Sequence, residues 1–323
     1  MAKVKKVAVL TSGGDAPGMN ACVRSVVRAG LKKGLHMYVF YDGYKGLVEG
    51  RIEEADRNFV SDIINRGGTI LHSARLPEFK EDYMQKLAIK QLQEYDIDSL
   101  IVIGGDGTFR GARDLAKRGI NTIGIPATID NDIACTEYTI GFDTCLNTII
   151  DCIDKLRDTT ESHKRCTIIE VMGNKCGDLA LYSGIAEGVE MVVSNDMPLS
   201  EEEIFEKLRS LKGGKKGHYL MIVSEKTFDN VYEFAKRVKE NTGIDCRAEV
   251  LGHLQRGGRP SARDRIEASL YGSQAIEALL DGKSSVVIAH RGDDWFTVDI
   301  EEAVQMHREP DVEMLNLIKL INR

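Results

Sequence analysis

Residues 100–108, Leu100-Ile101-Val102-Ile103-Gly104-Gly105-Asp106-Gly107-Thr108, and residues 122–132, Thr122-Ile123-Gly124-Ile125-Pro126-Ala127-Thr128-Ile129-Asp130-Asn131-Asp132, carry one pattern twice. Leu100–Ile103 and Thr122–Ile125 each read as a short strand buried on both faces of a parallel sheet. Each run ends in a loop that puts carboxylates at the strand's carboxyl end, where open α/β sheets bind ligands. The glycines let backbone N–H groups come close to a phosphate. A carboxylate beside such a cradle is a poor phosphate ligand but a good partner for Mg²⁺, which shares oxygen ligands with substrate phosphates. An extended Thr128–Asp132 would turn Asp130 and Asp132 to one face, because side chains alternate along such a segment. These residues together predict a phosphoryl-transfer site.

Upstream, Val7–Leu10 predicts a first strand, followed by Thr11-Ser12-Gly13-Gly14-Asp15-Ala16-Pro17-Gly18. A helix is expected from about Met19 to Lys33, with Val23, Val26, Val27 and Leu31 on one stripe. A glycine loop between strand and helix suits a phosphate, although it fits neither G-x-G-x-x-G nor the Walker A pattern. A Gly-Gly pair by itself is more often only a turn. Met37–Tyr41 predicts a second strand leading into a loop at Asp42–Gly46. Gly67-Gly68 and Ser73-Ala74-Arg75 join a glycine pair to a cationic fork suited to anions. A helix over about 81–94, the Leu100–Ile103 strand, a helix over 107–118 and the strand ending at Ile125 complete a βαβ series. That series calls for a parallel sheet with right-handed crossovers.

After Asp132 the alternation starts again. Cys145–Arg157 predicts an amphipathic helix, Thr167–Met172 a strand, Gly177–Glu187 a helix and Tyr219–Ser224 a strand. Ser200 before Glu201-Glu202-Glu203 is a helix N-cap with acid in the first turn. Gly252–Gly258 interrupts the pattern, a long helix follows over about Ser261–Leu280, and the Val286–Ala289 strand suits either sheet. Trp295, the only tryptophan, is expected in a loop and receives no function.

With 323 residues, 42% hydrophobic and 29% charged, the chain is long enough for two α/β domains and sizeable cores. A net charge of −7 leaves no footprint for nucleic acid or an anionic membrane. No apolar run reaches membrane-span length and no signal peptide is recognisable, so a cytoplasmic protein is expected. Seven scattered cysteines without C-x-x-C spacing argue against a disulfide framework or a zinc site. Taken singly, several residues have plain structural readings. Arg24 and Arg28 read as a solvated helix face, His253 as a core histidine, and Arg165, Arg247 and Arg256 as surface charges.

The set Thr11–Gly18, Ser73-Ala74-Arg75, Pro126–Asp132, Glu170-Val171-Met172-Gly173 and Gly252–Gly258 resembles the bacterial ATP-dependent 6-phosphofructokinases, in order and over about residues 6–265. The resemblance implies two doubly wound α/β domains with the active site in the cleft between them. It implies a larger ATP-binding domain over 1–140 plus 254–304 and a smaller sugar-phosphate domain over 141–253 plus 305–323. The implied reaction is phosphorylation of fructose 6-phosphate at its 1-hydroxyl by MgATP. Asp130 matches the family's catalytic base, with Asp132 a supporting acid, Thr128 a transition-state hydroxyl and Arg75 the arginine that meets the transferring phosphate. Gly14, Arg75, Leu76, Gly105, Asp106, Gly107 and Thr108 match nucleotide positions, with Asp106 linked to Mg²⁺. Thr128, Ile129, Asp130, Met172, Gly173, Asn174, Glu225, His253, Leu254, Gln255 and Arg256 match sugar-phosphate positions. Arg165 and Arg247 match arginines that reach the 6-phosphate from a neighbouring subunit, and the family is usually a homotetramer. Arg24, Arg28, Arg57, Arg157, Gly188, Glu190, Lys216 and His218 match an effector pocket for ADP or phosphoenolpyruvate, which replaces the solvated-face reading of Arg24 and Arg28.

The chain departs from the family pattern at Asn174 and Lys80, where arginine is usual, at Ala127, where glycine is usual, and in the lysines of Lys212–His218. Pyrophosphate-dependent relatives carry Asp in place of Gly107 and Lys in place of Ala127, larger groups that fill the α-phosphate's space. The small residues here therefore point to ATP. The alternatives are a pyrophosphate-dependent enzyme, or a non-catalytic sensor of nucleotide or sugar phosphate on the same scaffold. A periplasmic binding protein is disfavoured by the absent signal peptide and the cysteines.

Overall fold

The computed structural model describes residues 5–214 and 216–321. In chain order the first half holds β1 (Lys6–Thr11), α1 (Met19–Lys32), β2 (His36–Phe40), α2 (Gly43–Glu49), β3 (Ile52–Glu54), a 3-10 turn (Pro77–Lys80), α3 (Asp82–Glu94), β4 (Ser99–Gly104), α4 (Asp106–Ala116) and β5 (Asn121–Pro126). The second half holds α5 (Phe142–Ser162), β6 (Cys166–Val171), α6 (Asp178–Glu187), β7 (Met191–Val193), α7 (Glu201–Leu211), β8 (Tyr219–Ser224), α8 (Val231–Thr242) and β9 (Cys246–Val250). A second 3-10 turn (Gly252–Arg256), α9 (Ala262–Leu280), β10 (Val286–Arg291), β11 (Asp294–Asp299), α10 (Ile300–Ala303) and α11 (Val312–Ile321) complete it.

The chain forms two compact units. Unit 1 comprises residues 1–129, 133–144 and 256–308, and unit 2 residues 130–132, 145–255 and 309–323. Unit 1 is built on a seven-stranded sheet of order β11-β10-β5-β4-β1-β2-β3. The inner strands run parallel, and the antiparallel edges β3 and β11 close it. β4 is buried at every position, which explains its unbroken apolar run: a parallel strand covered on both faces has no solvent side to mark with polar residues. Unit 2 holds a four-stranded, all-parallel sheet of order β7-β8-β6-β9. Its core packs Ile168, Val193, Met221 and Val223 against Ile204, Phe205 and Leu208 of α7 and Phe234 and Val238 of α8. The Val286–Ala289 strand joins the sheet of unit 1, beside β5.

Several elements differ from the sequence expectation. Asp42–Gly46 begins the helix α2 instead of forming a loop. Burial of Tyr44 and Leu47, with Tyr44 stacked on Phe79 at 4.2 Å, supplies the packing that overrides the turn-rich composition. Trp295 is not in a loop. It lies on β11, paired across from His290, and meets the Tyr271 ring edge-on at 4.9 Å. α7 starts as expected, with a complete capping box between Ser200 and Glu203. Among the described residues no helix is long and apolar enough to cross a membrane.

Candidate active site

In unit 1 the loops after β1 and β4 lie side by side, because those strands are paired neighbours. Thr108 Oγ1 donates to the Ser12 carbonyl at 3.1 Å, tying the two loops together. Ser73 Oγ donates to the Gly13 carbonyl at 2.5 Å, which brings Ser73-Ala74-Arg75 to the same place. Buried Asn20 of α1 holds the preceding segment, accepting from Ile70 N–H at 2.8 Å and donating to the Arg66 and Gly68 carbonyls. Gly14 is required by close approach: a Cβ there would lie 2.2 Å from Nη1 of Arg256. That contact places Arg256 against the loop after β1. Gly105, Asp106, Gly107 and Thr108 form the N-terminal end of α4, whose free N–H groups and dipole favour an anion. Asp106 pairs with Arg110 one turn on, at 2.7 Å. Among the described residues no group of three or more His, Cys, Asp or Glu could hold a metal ion. A single carboxylate still fits Mg²⁺, which takes one or two carboxylates and draws its other oxygens from water and substrate phosphates. Arg75 is exposed, and Leu76 precedes the 3-10 turn.

Thr128–Asp132 follows β5 as a turn and not as an extended segment. Asn131 takes a left-handed conformation (φ 52°), so the alternation expected to align Asp130 with Asp132 does not hold. Asn tolerates that conformation, and its Nδ2 donates to Asp178 of α6 at 2.8 Å. Asp130 is 8% exposed and Asp132 half-buried. The Thr128 carbonyl accepts from Thr139 Oγ1 at 2.8 Å.

In unit 2 the strand ends of β6 and β8 and the turn at residues 252–255 converge. Gln255, fully buried, accepts from Met172 N–H at 3.0 Å and donates to the Gly252 carbonyl at 3.0 Å. Glu225 accepts from Asn174 N–H at 2.8 Å. Position 173 must be glycine, since φ is 138° and a Cβ would meet the Cys176 carbonyl at 2.5 Å. Burial, and secondarily Glu225, raises the carboxyl pKa of Glu170. His253 and Leu254 are exposed, which sets aside the core reading of that histidine. Lys226 joins this cluster through Asn174 without a signal in its local sequence.

Arg165 and Arg247 lie elsewhere in unit 2. They stand at the start of β6 and β9, while Met172 follows the end of β6. Six strand residues separate the two ends, roughly 20 Å at about 3.3 Å each. Arg165 donates to Thr159 Oγ1 at 3.0 Å, and Arg247 is exposed, 4.0 Å from Asp245.

The effector-matched residues divide between the units. In unit 1, Arg24 has its pKa lowered by burial and then by the neighbouring charges of Arg28 and Arg57, with Asp62 opposing. Arg28 Nε is buried without a hydrogen-bond partner. A cluster of guanidiniums with so little compensation suits an anion better than a solvated face. In unit 2, Glu190 pairs with Lys216 and accepts from Leu220 N–H at 2.8 Å, and His218 Nδ1 lies 3.2 Å from the Lys216 carbonyl. Arg157 is bound to Glu187, at 2.6 Å to its carbonyl and 2.7 Å to its carboxylate, next to Gly188 at the end of α6. A cavity of about 690 Å³ between α7 and α11 includes Glu190 but none of the substrate-matched residues.

The phosphofructokinase family model matches residues 6–279. The ATP-dependent 6-phosphofructokinase of Clostridium botulinum (strain Alaska E43 / Type E3) is 50% identical over 323 residues, covering 99% of this chain and 100% of that protein. ATP-dependent 6-phosphofructokinase 1 of Clostridium perfringens is 48% identical over 320 residues, covering 99% and 100%. Among solved structures, Pichia pastoris phosphofructokinase in the T-state superposes with a TM-score of 0.87 at 34% identity, covering 99% of this chain and 36% of that one. A pyrophosphate-dependent phosphofructokinase from Marinobacter aquaeolei superposes with a TM-score of 0.84 at 21% identity, a likeness of fold alone. With its glycine loops, its acid turn and a family match over most of its length, this chain belongs to the phosphofructokinase family.

Proposed function

We infer that the chain is an ATP-dependent 6-phosphofructokinase, transferring the γ-phosphoryl group of ATP to the 1-hydroxyl of fructose 6-phosphate to give fructose 1,6-bisphosphate and ADP. The observation that carries this reading is the order of loops along one sheet. Gly13-Gly14, Gly104–Thr108 and Thr128–Asp132 follow the carboxyl ends of β1, β4 and β5, which are consecutive in the sheet. Transfer through a metaphosphate-like state needs positioning and charge neutralisation above all, with one carboxylate to take the hydroxyl proton. Asp130 takes that proton. The N–H groups at the start of α4 and the glycine loop after β1 hold the nucleotide phosphates, and Arg75 meets the transferring group. Asp106 would hold Mg²⁺, which when bound would neutralise charge on the phosphate oxygens. Gly173, Glu225 and the Gln255-fixed turn receive the sugar.

Gly107 and Ala127 leave room for the α-phosphate, which favours ATP over pyrophosphate. A coupled assay on fructose 6-phosphate with each donor tests this, and faster turnover with pyrophosphate would reverse it. A sensor without chemistry has no need of a buried carboxylate at residue 130. Arg165 and Arg247 stand at the opposite ends of their strands from Met172, so a 6-phosphate site using both sets needs a second copy; the family resemblance makes the proposed assembly a homotetramer. ADP and phosphoenolpyruvate are the proposed effectors at the Arg24, Arg28 and Arg57 cluster. Fructose 6-phosphate saturation curves indifferent to both ligands would remove that part. Seven free thiols accord with a reducing, cytosolic setting.

A further inference from the structure

Two loops at the carboxyl ends of neighbouring parallel strands clasp one another in unit 2. β6 and β8 pair in register through Val171 and Ser224. The Glu225 N–H donates to the Val171 carbonyl at 2.7 Å, continuing the ladder by one bond past the strands. Beyond it, side chains take over. Glu225 Oε1 accepts from the Asn174 N–H at 2.8 Å, and Lys226 Nζ donates to Asn174 Oδ1 at 2.9 Å. The other end of that amide, Nδ2, reaches Asp132 Oδ2 at 3.3 Å. Asn174 and Lys226 are both non-glycine residues in the left-handed region, at φ 55° and 67°. Such conformations are strained for residues with a Cβ and persist where surrounding bonds fix them.

From this relay, resting on the kinase reading above, we propose that Lys226 is a positioning residue of the phosphoryl-transfer site, acting through Asn174 on Asp132. Lys226 is exposed. A free lysine there would sweep through solvent and keep its rotamer freedom. Here it is spent on an amide that carries no charge of its own. An ammonium on the carbonyl side of an amide strengthens the N–H donor on the other side, since charge-assisted bonds are roughly twice as strong as neutral ones and linked bonds polarise one another. The relay delivers part of a positive charge to Asp132, two residues from Asp130, and fixes the acid turn against the loop after β6. Lys226 itself is at none of the matched substrate positions, so loss of its ammonium is expected in the chemical step and not in the affinity for either substrate.

The test is steady-state kinetics with ATP and fructose 6-phosphate on the full chain, using Lys226→Met, Lys226→Arg, Asn174→Leu and the Lys226→Met/Asn174→Leu pair. Lys226→Met is expected to lower kcat about tenfold, with both KM values within about twofold, and Lys226→Arg to restore most of the loss. Asn174→Leu cuts the relay in the middle, so the pair should lose no more than the worse single variant. A Lys226→Met enzyme with wild-type kcat, or a paired loss equal to the product of the two single losses, overturns the proposal. Should Lys226→Met lose its thermal transition, Lys226→Gln decides on the same kcat criterion: it keeps a donor without the charge and is expected to fall with Met, and wild-type kcat overturns the proposal. An inactive wild type would instead sink the kinase reading, since the proposal predicts a difference between variants of a working enzyme.

Discussion

The loops of unit 1 and those of unit 2 face phosphate chemistry with different means. In unit 1 the shape is set by backbone: Gly14 lies against Arg256, and Gly105 and Gly107 open the first turn of α4. In unit 2 it is set by side chains that reach across strands, with Gln255 on Met172, Glu225 on Asn174 and Asn131 on Asp178. A backbone cradle fails when atoms are added, because a side chain there keeps a ligand away from the backbone N–H groups. A side-chain network fails when atoms are removed, because a buried partner is left unpaired. The two units should therefore respond to opposite kinds of substitution.

The largest effect belongs to the acid turn. Asp130→Asn keeps shape and removes the carboxylate proposed as proton acceptor, so turnover should fall by about 10²- to 10⁴-fold with near-normal substrate binding. Steady-state rates beside equilibrium titration of fructose 6-phosphate measure both. Unchanged turnover would show that another group takes the proton, and would turn the comparison into one between two binding surfaces.

Next comes the removal of an atom pair from unit 2. Gln255→Ala leaves the Met172 N–H and the Gly252 carbonyl without their partner in a fully buried place. We expect a loss of about 1–3 kcal/mol in unfolding free energy and a rise of about tenfold in KM for fructose 6-phosphate. Denaturant melts and kinetics check the two halves. A rise in KM for ATP instead would mean that the turn serves the nucleotide.

How much of this was legible follows the same division. The parallel strands of unit 1 announce themselves as apolar runs because burial on both faces leaves nothing else to select, and a Gly-Asp loop is a local signal. β9 escaped for the complementary reason: Arg247, Glu249 and Val250 on this edge strand are exposed, so Cys246–Val250 carries no apolar run. The partners of Asn131 and Met172 come from 47 and 83 residues away, and no window on the sequence contains both ends. The turn holding Asp130 is marked in the sequence by its loop, while the alternation along it is not, because a single left-handed residue at Asn131 undoes the period-two rule. Lys226 gave no signal at all, since its role depends on strand neighbours and not on spacing.

An added atom tests unit 1. Gly14→Ala places a Cβ 2.2 Å from a guanidinium nitrogen, the far end of a flexible side chain. Arg256 can swing away, so the fold should survive, with KM for ATP rising about tenfold as the cradle widens. Gly188→Ala is the matched addition in unit 2, at φ 56° with open space around it. It should cost about 1 kcal/mol of stability and leave KM for ATP alone. Equal effects of the two on ATP would erase the distinction between the units.

The smallest effect is a slope, and it asks whether the division holds for charge. Among the described residues each unit holds one carboxyl whose pKa is raised: buried Asp264 by desolvation in unit 1, and half-buried Glu170 by desolvation and then Glu225 in unit 2. Asp264 accepts from Tyr138 Oη at 2.6 Å, Gly141 N–H at 2.7 Å and Thr144 N–H at 2.8 Å, donors that favour its charged form but are outweighed by burial. A carboxyl whose pKa rises on folding binds its proton more tightly in the folded chain. Its contribution is complete below the ordinary carboxylate value and is lost as pH climbs through the folded pKa. Asp82, Glu201, Glu203, Asp245 and Glu301 are shifted downward by their hydrogen-bonded partners, and act in the opposite sense in a window below the ordinary value. Above about pH 4.5 the descending slope therefore belongs to the two raised groups, each limited to about 1.4 kcal/mol per pH unit. Denaturant midpoints measured between about pH 4.5 and 7.5 should fall with pH. Asp264→Asn should flatten one part of that fall and Glu170→Gln the other, while a wild-type midpoint that rises across the range would show that the donors around Asp264 prevail over its burial.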